Sequence, residues 1–295
     1  MPPGGKVPTG GGLGDVKTKR YDGITWRGAL AGKIRRLAQW LRDRESVLVA
    51  FSGGVDSAFL AAMASQVLGA RALAVTADSP SLPRAELREA AALARRLKLR
   101  HRVVATEEMS NPAFTANPAD RCYHCKSELF AMLSGIARRE GLACVADGSN
   151  VDDRGDIRPG TRAAREHGVR RPLQELGLTK REIREASRAL GLPTADKPAA
   201  ACLASRLPYG TRITADALAL VESAEDALRR LGFPHCRVRL HGDVARIELP
   251  PADLAHALAH RVVIVRRLTH CGLRYVALDL QGYRTGSLNE VLGHN

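Results

Sequence analysis

The sequence SGGVDSAFLAAMA, residues 52–64, decides the fold, because it directly follows the fully apolar run VLVAF at residues 47–51. Such a short apolar run is typical of a strand buried in a parallel sheet, and the residues after it predict a helix over 57–68. A loop between such a strand and helix lies at the carboxyl edge of the sheet, where α/β folds bind ligands. We therefore expect a ligand-binding loop at residues 52–57.

The residue types in this loop suit a phosphate group. Gly53 and Gly54 let the backbone approach an anion closely, and the N–H groups and dipole of the following helix attract phosphate oxygens. Ser52 and Ser57 add hydroxyl donors, and Asp56 can hold a magnesium ion. The Walker pattern GxxxxGK[ST] is absent. The alternative is a plain turn of small residues, but the full string SGGVDS favours nucleotide binding.

Strands and helices alternate along the first half of the chain. After the first strand, the patterns predict strands at 72–78, 101–106 and 142–147, and helices at 84–97 and 126–140. This alternation is typical of an α/β fold with a doubly wound parallel sheet. Further on, Thr179 and Glu182 form a capping-box pattern that predicts a helix over 179–190.

The chain divides into three predicted regions. Residues 1–24 are rich in glycine and proline and predict a flexible tail. We assign residues 25–206 to the nucleotide-binding domain. Residues 207–295 read as a small α+β domain, with a helix from 214, strands at 236–240 and 244–249, a helix at about 251–270 and a strand at 274–280.

The charge of the chain is +14, which could indicate a nucleic acid partner. However, 37 of the 45 basic residues are arginines scattered along the chain, and no basic stripe contains interleaved aromatic residues. We therefore expect solvated helix faces rather than a nucleic acid groove. No apolar run approaches the roughly 20 residues that span a bilayer, and no signal segment is present. We expect a soluble cytoplasmic protein without a membrane partner.

Three of the six cysteines are candidates for chemistry. Cys122 and Cys125 lie in RCYHCK, which is predicted to precede a helix, and such a pair can serve redox chemistry, zinc or an iron–sulfur cluster. Cys202 lies in the small-residue loop AACLASR, where Lys197 and Arg206 are near enough in sequence to lower its pKa. Taken alone, Cys202 could equally be a packing residue.

Long segments make the resemblance to a family specific. SGGVDS resembles the PP-loop of ATP pyrophosphatases. TADSPSLPRAELREA (76–90), RCYHCK (121–126), the segment from DGSN to LPYG (147–210), RVRLHGDVARIEL (237–249) and LDLQGYRTGSLNE (278–290) closely resemble the LarE family of ATP-dependent sulfur transferases. The resemblance covers nearly the whole chain from about residue 28 and implies the fold of that superfamily.

The resemblance also implies a reaction. The family uses ATP, with Mg²⁺, to adenylate a carboxylate of pyridinium-3,5-biscarboxylic acid mononucleotide. Sulfur then replaces AMP, and a second round at the other carboxylate gives the bisthiocarboxylate that enters the nickel-pincer nucleotide cofactor. Activation is needed because a carboxylate is a poor electrophile, whereas AMP is a good leaving group.

Two sulfur sources occur in the family. In one version, a single cysteine matching Cys202 gives up its own sulfur and becomes dehydroalanine. In the other version, three cysteines hold a [4Fe-4S] cluster whose remaining iron carries a sulfide for donation. Because Cys122 and Cys125 accompany Cys202, this sequence resembles the cluster version, with zinc as a third alternative.

The family match assigns the remaining site residues. It implies that Cys202 and Asp56 take part in catalysis, and that Arg237 and Arg239 bind the phosphate of the mononucleotide. Arg206 is a similar candidate. The nucleotide-binding residues would be Ser52, Gly53, Gly54, Asp56, Ser57 and Asp78. Glu225 and Glu248 correspond more weakly to a family metal site. A hexamer formed through the second domain and a protein that resupplies sulfide are further expectations.

Three alternatives are open. A tRNA thiolation enzyme of the PP-loop class would use the same cysteines and suit the positive charge, but such enzymes commonly carry further CxxC pairs. An amide-forming enzyme such as the synthetase part of GMP synthase has no need of three cysteines. A regulatory ATP-binding module of the universal-stress type would bind without turnover, which the SGGVDS string argues against.

Overall fold

The computed structural model describes residues 18–153, 159–284 and 287–288, and within them the chain forms two β-sheets with associated helices. The strands are β1 Val47–Ala50, β2 Ala72–Asp78, β3 His101–Ala105, β4 Val145–Ala146, β5 Arg237–His241, β6 Val244–Glu248 and β7 Tyr275–Leu278. The helices are α1 Gly28–Arg44, α2 Val55–Leu68, α3 Arg84–Arg96, α4 Pro112–Thr115, α5 Arg121–Arg139, α6 Pro159–Glu166, α7 Pro172–Glu175, α8 Lys180–Leu190, α9 Ala215–Arg230, α10 Leu254–Ala259 and α11 Arg261–His270.

The first sheet has the order β3-β2-β1-β4, and all of its strand pairs are parallel. Leu48 in β1 stands beside Leu73 in β2 and Val145 in β4. Because β1 is flanked on both sides, its apolar side chains are buried on both faces, as its sequence predicts. The predicted α/β fold with a parallel sheet is confirmed.

Helices cover both faces of this sheet. Alternate residues of β1 enter different cores, since Val47 and Val49 pack with α1, α2 and α8, whereas Leu48 packs with α5 and α6. The predicted capping box at the start of α8 is confirmed, with Thr179 accepting the backbone N–H of Glu182. Together these helices fix the loop after β1 at the carboxyl edge of the sheet.

The helix that follows the CxxC pair begins earlier than the sequence indicates. We predicted residues 126–140, but α5 begins at Arg121, so Cys122 and Cys125 lie within its first turns. Arg121 anchors this end, because its guanidinium donates to Asn117 Oδ1 at 3.1 Å and lies 4.6 Å from the centre of the Tyr209 ring. The prediction that the pair precedes the helix is therefore wrong.

Two other predicted elements are shorter. The predicted strand at 142–147 reduces to β4, because the N–H of Leu142 donates to the helix carbonyl of Ala137 and the N–H of Ala143 donates to the side chain of Ser46. The predicted helix at 251–270 is interrupted at His260, which ends α10 and precedes α11. Both differences arise from hydrogen bonds that the apolar pattern does not encode, including one from Ala143 to the distant side chain of Ser46.

The second sheet has the order β5-β6-β7, in which β5 and β6 are antiparallel and β6 and β7 are parallel. It packs with α9 and α11 around a core that also takes in Leu203, Ala204 and Leu207. A domain boundary at 206/207 stays a prediction, and Leu203 and Ala204 already belong to the core of the second sheet.

The beginning of the described chain packs on the first domain. The N–H of Lys19 donates to the carbonyl of Leu190, and the N–H of Tyr21 donates to Gln66 Oε1. Most of the predicted tail at 1–24 lies outside the described residues. Within the described ranges, no helix combines the length and apolar character required to cross a membrane.

Candidate functional site

The loop after β1 is organised by its two serines. Ser52 Oγ lies 3.0 Å from Ser57 Oγ, and the N–H of Gly54 donates to Ser52 Oγ at 3.4 Å. Ser57 Oγ in turn lies 3.3 Å from the carbonyl oxygen of Gly54. The loop therefore presents hydroxyl groups and the amino end of α2 to the same edge of the sheet, as anion binding requires.

Gly53 is required by its surroundings as well as by its backbone. Its φ of +71° is in the left-handed region, and a Cβ placed on it would lie 2.8 Å from the Cβ of Ala90 in α3. Gly148, in the DGSN segment, is similarly close, because its Cβ would lie 2.9 Å from the backbone nitrogen of Ser57. The loop is thus enclosed between α3 and the DGSN segment, with no room for side chains.

One carboxylate oxygen of Asp56 forms an ion pair, and the other has no hydrogen-bond partner among the described residues. Its Oδ2 lies 2.5 Å from Nζ of Lys180, and its Oδ1 is buried without a hydrogen-bond partner among the described residues. Burial raises the pKa of Asp56, and the hydrogen bond from Lys180 opposes that increase. A buried carboxylate oxygen without a partner suits a magnesium ligand.

Asp78, the other acidic residue predicted to bind nucleotide, lies at the end of β2. Its carboxylate forms an ion pair with Nη1 of Arg84, at the start of α3. The pair is partly exposed, so Asp78 is accessible from solvent while being held by Arg84.

A cavity of about 750 Å³ extends from the loop after β1 to the second domain. Gly53 and one side of α3 form one wall, and the loop at 193–201 forms another. The facing wall belongs to the second domain and carries Arg229, His235 and Arg237. The cavity therefore connects the phosphate-binding loop to a basic wall, and its volume is within the range of small-molecule sites.

Cys202 directly follows the cavity-lining residue Ala201 in the sequence, and the lining residue Arg206 lies four positions later. Arg206 Nη1 donates to the carbonyl oxygens of both Ala201 and Cys202, each at 2.9 Å. The same guanidinium is paired through Nε with Glu225 Oε1 at 2.8 Å, and both side chains are almost fully buried. Arg206 thus fixes the backbone around the thiol.

Arg239 supports the same segment from β5. Its Nε and Nη2 donate to the two carboxylate oxygens of Glu248 at 3.0 and 2.9 Å, and its Nη1 donates to the carbonyl of Ser205. The predicted phosphate-binding arginines 206 and 239 are therefore engaged by buried glutamates. Glu225 and Glu248, the weaker metal candidates, instead neutralise these two guanidinium groups.

Arg237 differs from the other two arginines. It lines the cavity, donates to the carbonyl of Cys236 at 2.8 Å, and lies 5.4 Å from the centre of the Tyr283 ring. Burial and the charge of Arg206 lower the pKa of Arg237. A guanidinium in a positively charged wall is suited to an anionic group of a ligand.

Neither predicted basic neighbour is directed at the thiol of Cys202. Nζ of Lys197 lies 2.7 Å from Glu86 Oε2 and 2.8 Å from Glu89 Oε2 on α3, and the guanidinium of Arg206 binds carbonyl groups and Glu225. From their proximity in the sequence, we expected Lys197 and Arg206 to lower the pKa of this thiol. In the structure, both residues instead hold the loop.

The structure brings two of the three candidate thiols to one core, and Cys122 lies three residues before Cys125 on α5. Cys125 and Cys202 pack against the same core, and the pKa of Cys125 is raised by burial first, then by the charge of Glu108, and then by Cys202 and Cys122. Within the described ranges, however, no group of three or more His, Cys, Asp or Glu side chains has an arrangement that could hold a metal ion. The structure therefore brings the thiols into one region without forming a metal-binding geometry.

The sequence missed the residues that complete this site. Lys180 follows the capping residue Thr179, and nothing in its local pattern predicts a contact with Asp56, 124 residues earlier. Glu108 is buried beside the thiols, although the surrounding EEMS resembles an exposed turn. The local sequence around a polar loop residue does not indicate which distant residue it will contact in the fold.

Comparisons with known proteins extend over different lengths of the chain. A family model described as asparagine synthase matches residues 35–137. A pyridinium-3,5-bisthiocarboxylic acid mononucleotide synthase of Lactiplantibacillus plantarum is 40% identical over 264 residues, which cover 89% of this chain and 96% of that protein. An uncharacterized protein of Synechocystis, slr1717, is 47% identical over 265 residues, covering 89% of this chain and 99% of that protein.

A further match is shorter. A component of the glutamine-hydrolysing GMP synthase of Methanoregula boonei is 25% identical over 159 residues, which cover 50% of this chain and 52% of that protein. The likeness to amide-forming enzymes therefore covers half of the chain. The first two relatives match almost the whole chain, including the second domain that forms the basic wall of the cavity.

Proposed function

Because the chain belongs to the LarE family of ATP-dependent, PP-loop sulfur transferases, we propose that it converts pyridinium-3,5-biscarboxylic acid mononucleotide into the bisthiocarboxylate. The observation that carries this proposal is the cavity that connects Gly53, the loop of Cys202 and Arg237. An ATP site, a sulfur-bearing loop and an anion-binding wall are the three parts that the reaction needs.

Activation of the carboxylate would take place at the loop after β1. A carboxylate oxygen of the substrate attacks the α-phosphorus of ATP, and pyrophosphate leaves with the electrons of the broken P–O bond. The hydroxyl groups of Ser52 and Ser57, the N–H groups of the loop and the ammonium of Lys180 stabilise the leaving pyrophosphate. Asp56, with its unsatisfied oxygen, would hold the Mg²⁺ that neutralises phosphate charge.

The substrate would be oriented by the opposite wall. Its phosphate is placed at Arg237, whose guanidinium lines the cavity. Arg206 and Arg239 contribute indirectly, because they hold the loop at 201–206 while their own charges are neutralised by Glu225 and Glu248. This division assigns one of the three predicted arginines to the ligand and two to the loop.

Sulfur transfer requires a nucleophile at the activated carbonyl carbon. A sulfur anion attacks that carbon, the C–O bond to AMP breaks, and AMP leaves with the bonding electrons. Cys202 is the candidate thiol next in sequence to the cavity-lining Ala201, and Arg206, which also lines the cavity, donates to the carbonyl of Cys202. Proximity of this kind accounts for much of the rate of group-transfer reactions.

The sulfur source is proposed from the donor set. Cys122, Cys125 and Cys202 would hold a [4Fe-4S] cluster, which supplies a sulfide to the activated carboxylate. The core shared by Cys125 and Cys202, with Cys122 three residues before Cys125 on α5, supports this assignment, although the side chains lack a ligand geometry within the described ranges. The alternative is that Cys202 donates its own sulfur, in which case its Cβ–S bond breaks by elimination and leaves dehydroalanine.

Anaerobic purification followed by iron and sulfide analysis separates these sources. The cluster proposal expects about four irons per chain, with loss of iron in Cys122→Ala, Cys125→Ala and Cys202→Ala. Cys271→Ala is the matched control, because Cys271 lies at the end of α11 and is expected to leave the iron content unchanged. Iron-free protein whose Cys202 loses the mass of hydrogen sulfide during turnover would replace the cluster with the sacrificial cysteine.

The substrate is tested by the same preparation. Incubation with the pyridinium mononucleotide and ATP should release pyrophosphate and AMP and add sulfur to the mononucleotide. A parallel incubation replaces the mononucleotide with tRNA, because the net charge of +14 suits a nucleic acid. Transfer of sulfur to tRNA would favour the tRNA thiolation alternative. A cytoplasmic location and a protein that resupplies sulfide stay predictions.

Self-association through the second domain is also proposed. Val262 and Val265 are exposed on α11, and Tyr275 is exposed on the neighbouring strand β7. An apolar patch of this kind suits a contact between copies of the chain. Light scattering tests the expected hexamer, and Val262→Lys should reduce the mass of the assembly.

A further inference from the structure

Glu108 is a buried acidic residue that the proposed reaction does not use. It lies in the turn Glu108–Ser110 after β3 and is 1% exposed. Within the described part of the chain, its carboxylate accepts a hydrogen bond from the hydroxyl of Ser79 rather than pairing with a cation. An ionised carboxylate is costly to bury without a cationic partner, so its presence beside the thiols needs a reason.

The hydrogen bonds of Glu108 continue to the loop of Cys202. Ser79 Oγ lies 2.7 Å from Ser81 Oγ and accepts the N–H of Ser81 at 2.9 Å. The carbonyl of Ser81 accepts the N–H of Leu203, the residue after Cys202, at 2.7 Å. A continuous chain of hydrogen bonds therefore runs from Glu108 through the turn at 79–81 to the loop that carries Cys202.

The same short turn is fixed to the helix that carries Cys125. The N–H of Glu107 donates to the carboxylate of Glu128, which lies one turn after Cys125 on α5. Met109, on the other side of Glu108, packs against the core that Cys125 and Cys202 both touch. Residues 107–109 are thus bound directly to α5 and are linked to the loop of Cys202 through the turn at 79–81.

We propose that Glu108 is a positioning residue for sulfur transfer, which holds the loop of Cys202 at a fixed distance from Cys125. This inference rests on the proposed function for its purpose, but its geometry concerns only the two thiols. A carboxylate suits the role, because a charged acceptor forms a stronger hydrogen bond with a serine hydroxyl than a neutral acceptor does.

Disulfide formation between Cys125 and Cys202 measures their separation directly. The assay uses the full chain with Cys122→Ser, so that Cys122 does not compete, and diamide as the oxidant. Two thiols lose two protons and two electrons, diamide is reduced to the hydrazine, and the S–S bond forms. Peptide mass spectrometry then identifies the linked cysteines and gives the rate.

The variants are chosen to separate positioning from folding. Glu108→Gln keeps an acceptor oxygen for Ser79 but removes the charge that raises the pKa of Cys125, so it should react at least as fast as the parent. Glu108→Leu removes the same charge and also the acceptor, so it should react about tenfold more slowly than Glu108→Gln and more slowly than the parent. Ser79→Ala should show the same decrease, and the double variant should be no slower than either single variant, because all of them interrupt one chain of hydrogen bonds.

Thermal unfolding distinguishes a positioning role of Glu108 from a general contribution of Glu108 to stability. A buried carboxylate without a cationic partner carries a desolvation cost that leucine does not, so Glu108→Leu should not lower the unfolding midpoint even though its disulfide forms slowly. Glu140→Gln is the matched control, because its carboxylate pairs with Arg100 and Arg102 at the far end of α5. This control should retain the parent rate.

Equal rates in the parent, Glu108→Leu and Ser79→Ala would overturn the inference, as would a parent protein in which no bond between Cys125 and Cys202 forms. The assay contains neither ATP nor the mononucleotide. A protein that forms the disulfide as expected but does not act on the mononucleotide would therefore refute the proposed function and leave the positioning role standing.

Discussion

Nζ of Lys180 lies 2.5 Å from Oδ2 of Asp56, although the two residues are 124 positions apart in the sequence. The contact brings the start of α8 to the loop after β1. It places a positive charge beside the N–H groups that would bind pyrophosphate, and it leaves the second oxygen of Asp56 without a partner among the described residues. In the proposed function, Lys180 would supply an ammonium and Asp56 a metal ligand for one nucleotide.

Lys180→Met should weaken ATP binding, because it removes a charge from the pyrophosphate site. A hydrogen bond between charged groups contributes about 1.5–3 kcal/mol, so KM for ATP should rise about 10- to 100-fold. Pyrophosphate release measures this value. Arg188→Met is the matched control on the same helix, since Arg188 pairs with the exposed Asp196. An unchanged KM in Lys180→Met would contradict a role at the phosphates.

Asp56→Asn should alter the pH dependence of stability. Burial raises the pKa of Asp56 above its ordinary 3.8, so the folded state binds this proton more tightly than the unfolded state. Between pH 3.8 and the pKa of the folded state, the folded protein keeps a proton that the unfolded chain has lost. The free energy of unfolding that Asp56 contributes therefore decreases as the pH rises through this range. Asparagine carries no such proton, so the stability of Asp56→Asn relative to the parent should increase over that window while pyrophosphate release is lost.

Urea unfolding between about pH 2 and pH 8 measures this difference and also covers the acidic range in which Asp196 takes up its proton. Asp196→Asn provides a contrast of opposite sign, because a hydrogen bond from Arg188 lowers the pKa of that exposed carboxyl. In the parent protein, the ionised Asp196 stabilises the fold above its ordinary pKa, and this contribution is lost on acidification. Parallel curves for the two variants would show that the pKa of Asp56 is not raised in the folded protein.

Gly53→Ala should abolish ATP use and destabilise the fold. The added Cβ would lie 2.8 Å from that of Ala90, and the φ of +71° is unfavourable for alanine. Gly69→Ala separates the two causes, because Gly69 has a φ of +59° but open space around it, so its cost should be about 1 kcal/mol. The double variant Gly53→Ala, Ala90→Gly should recover part of the stability if crowding is the larger cause.

Arg237 and Glu225 should respond differently to substitution. Arg237→Met should raise KM for the mononucleotide about tenfold or more with little change in unfolding, because it removes a ligand contact. Glu225→Ala leaves the buried Arg206 without its carboxylate and should cost about 3–5 kcal/mol of folding stability. Substrate kinetics and urea unfolding of the two variants test this division, and a similar loss of stability in both would contradict it.

The sequence predicts the first sheet well, because buried parallel strands consist of continuous apolar runs such as VLVAF. It predicts the tight loop between β1 and α2 for a similar reason, since Gly53 and Gly54 are next to each other in the chain and act through the local backbone. The start of α5 was missed because Arg121 is stabilised by Asn117 and by Tyr209, which lies 88 positions later. No local pattern contains that second contact.

The roles of the arginines were harder to predict. RVR places Arg237 and Arg239 on one strand, two residues apart, and suggests one shared role. The structure separates them, because Arg239 faces Glu248 on the adjacent strand whereas Arg237 lines the cavity. Ion pairs across strands depend on register, which the sequence of a single strand does not specify.

The loop of Cys202 is held by Glu225, Arg239 and Glu248, all of which follow it in the chain. During synthesis the amino-terminal part leaves the ribosome first, and domains fold as they emerge. The sheet that carries the phosphate loop can therefore assemble while the partners of Arg206 and Arg239 are still untranslated. The order of translation thus delays the contacts of Glu225, Arg239 and Glu248 with the loop of Cys202 until the small sheet has emerged, whereas the contact of this loop with the earlier Ser81 does not depend on that sheet.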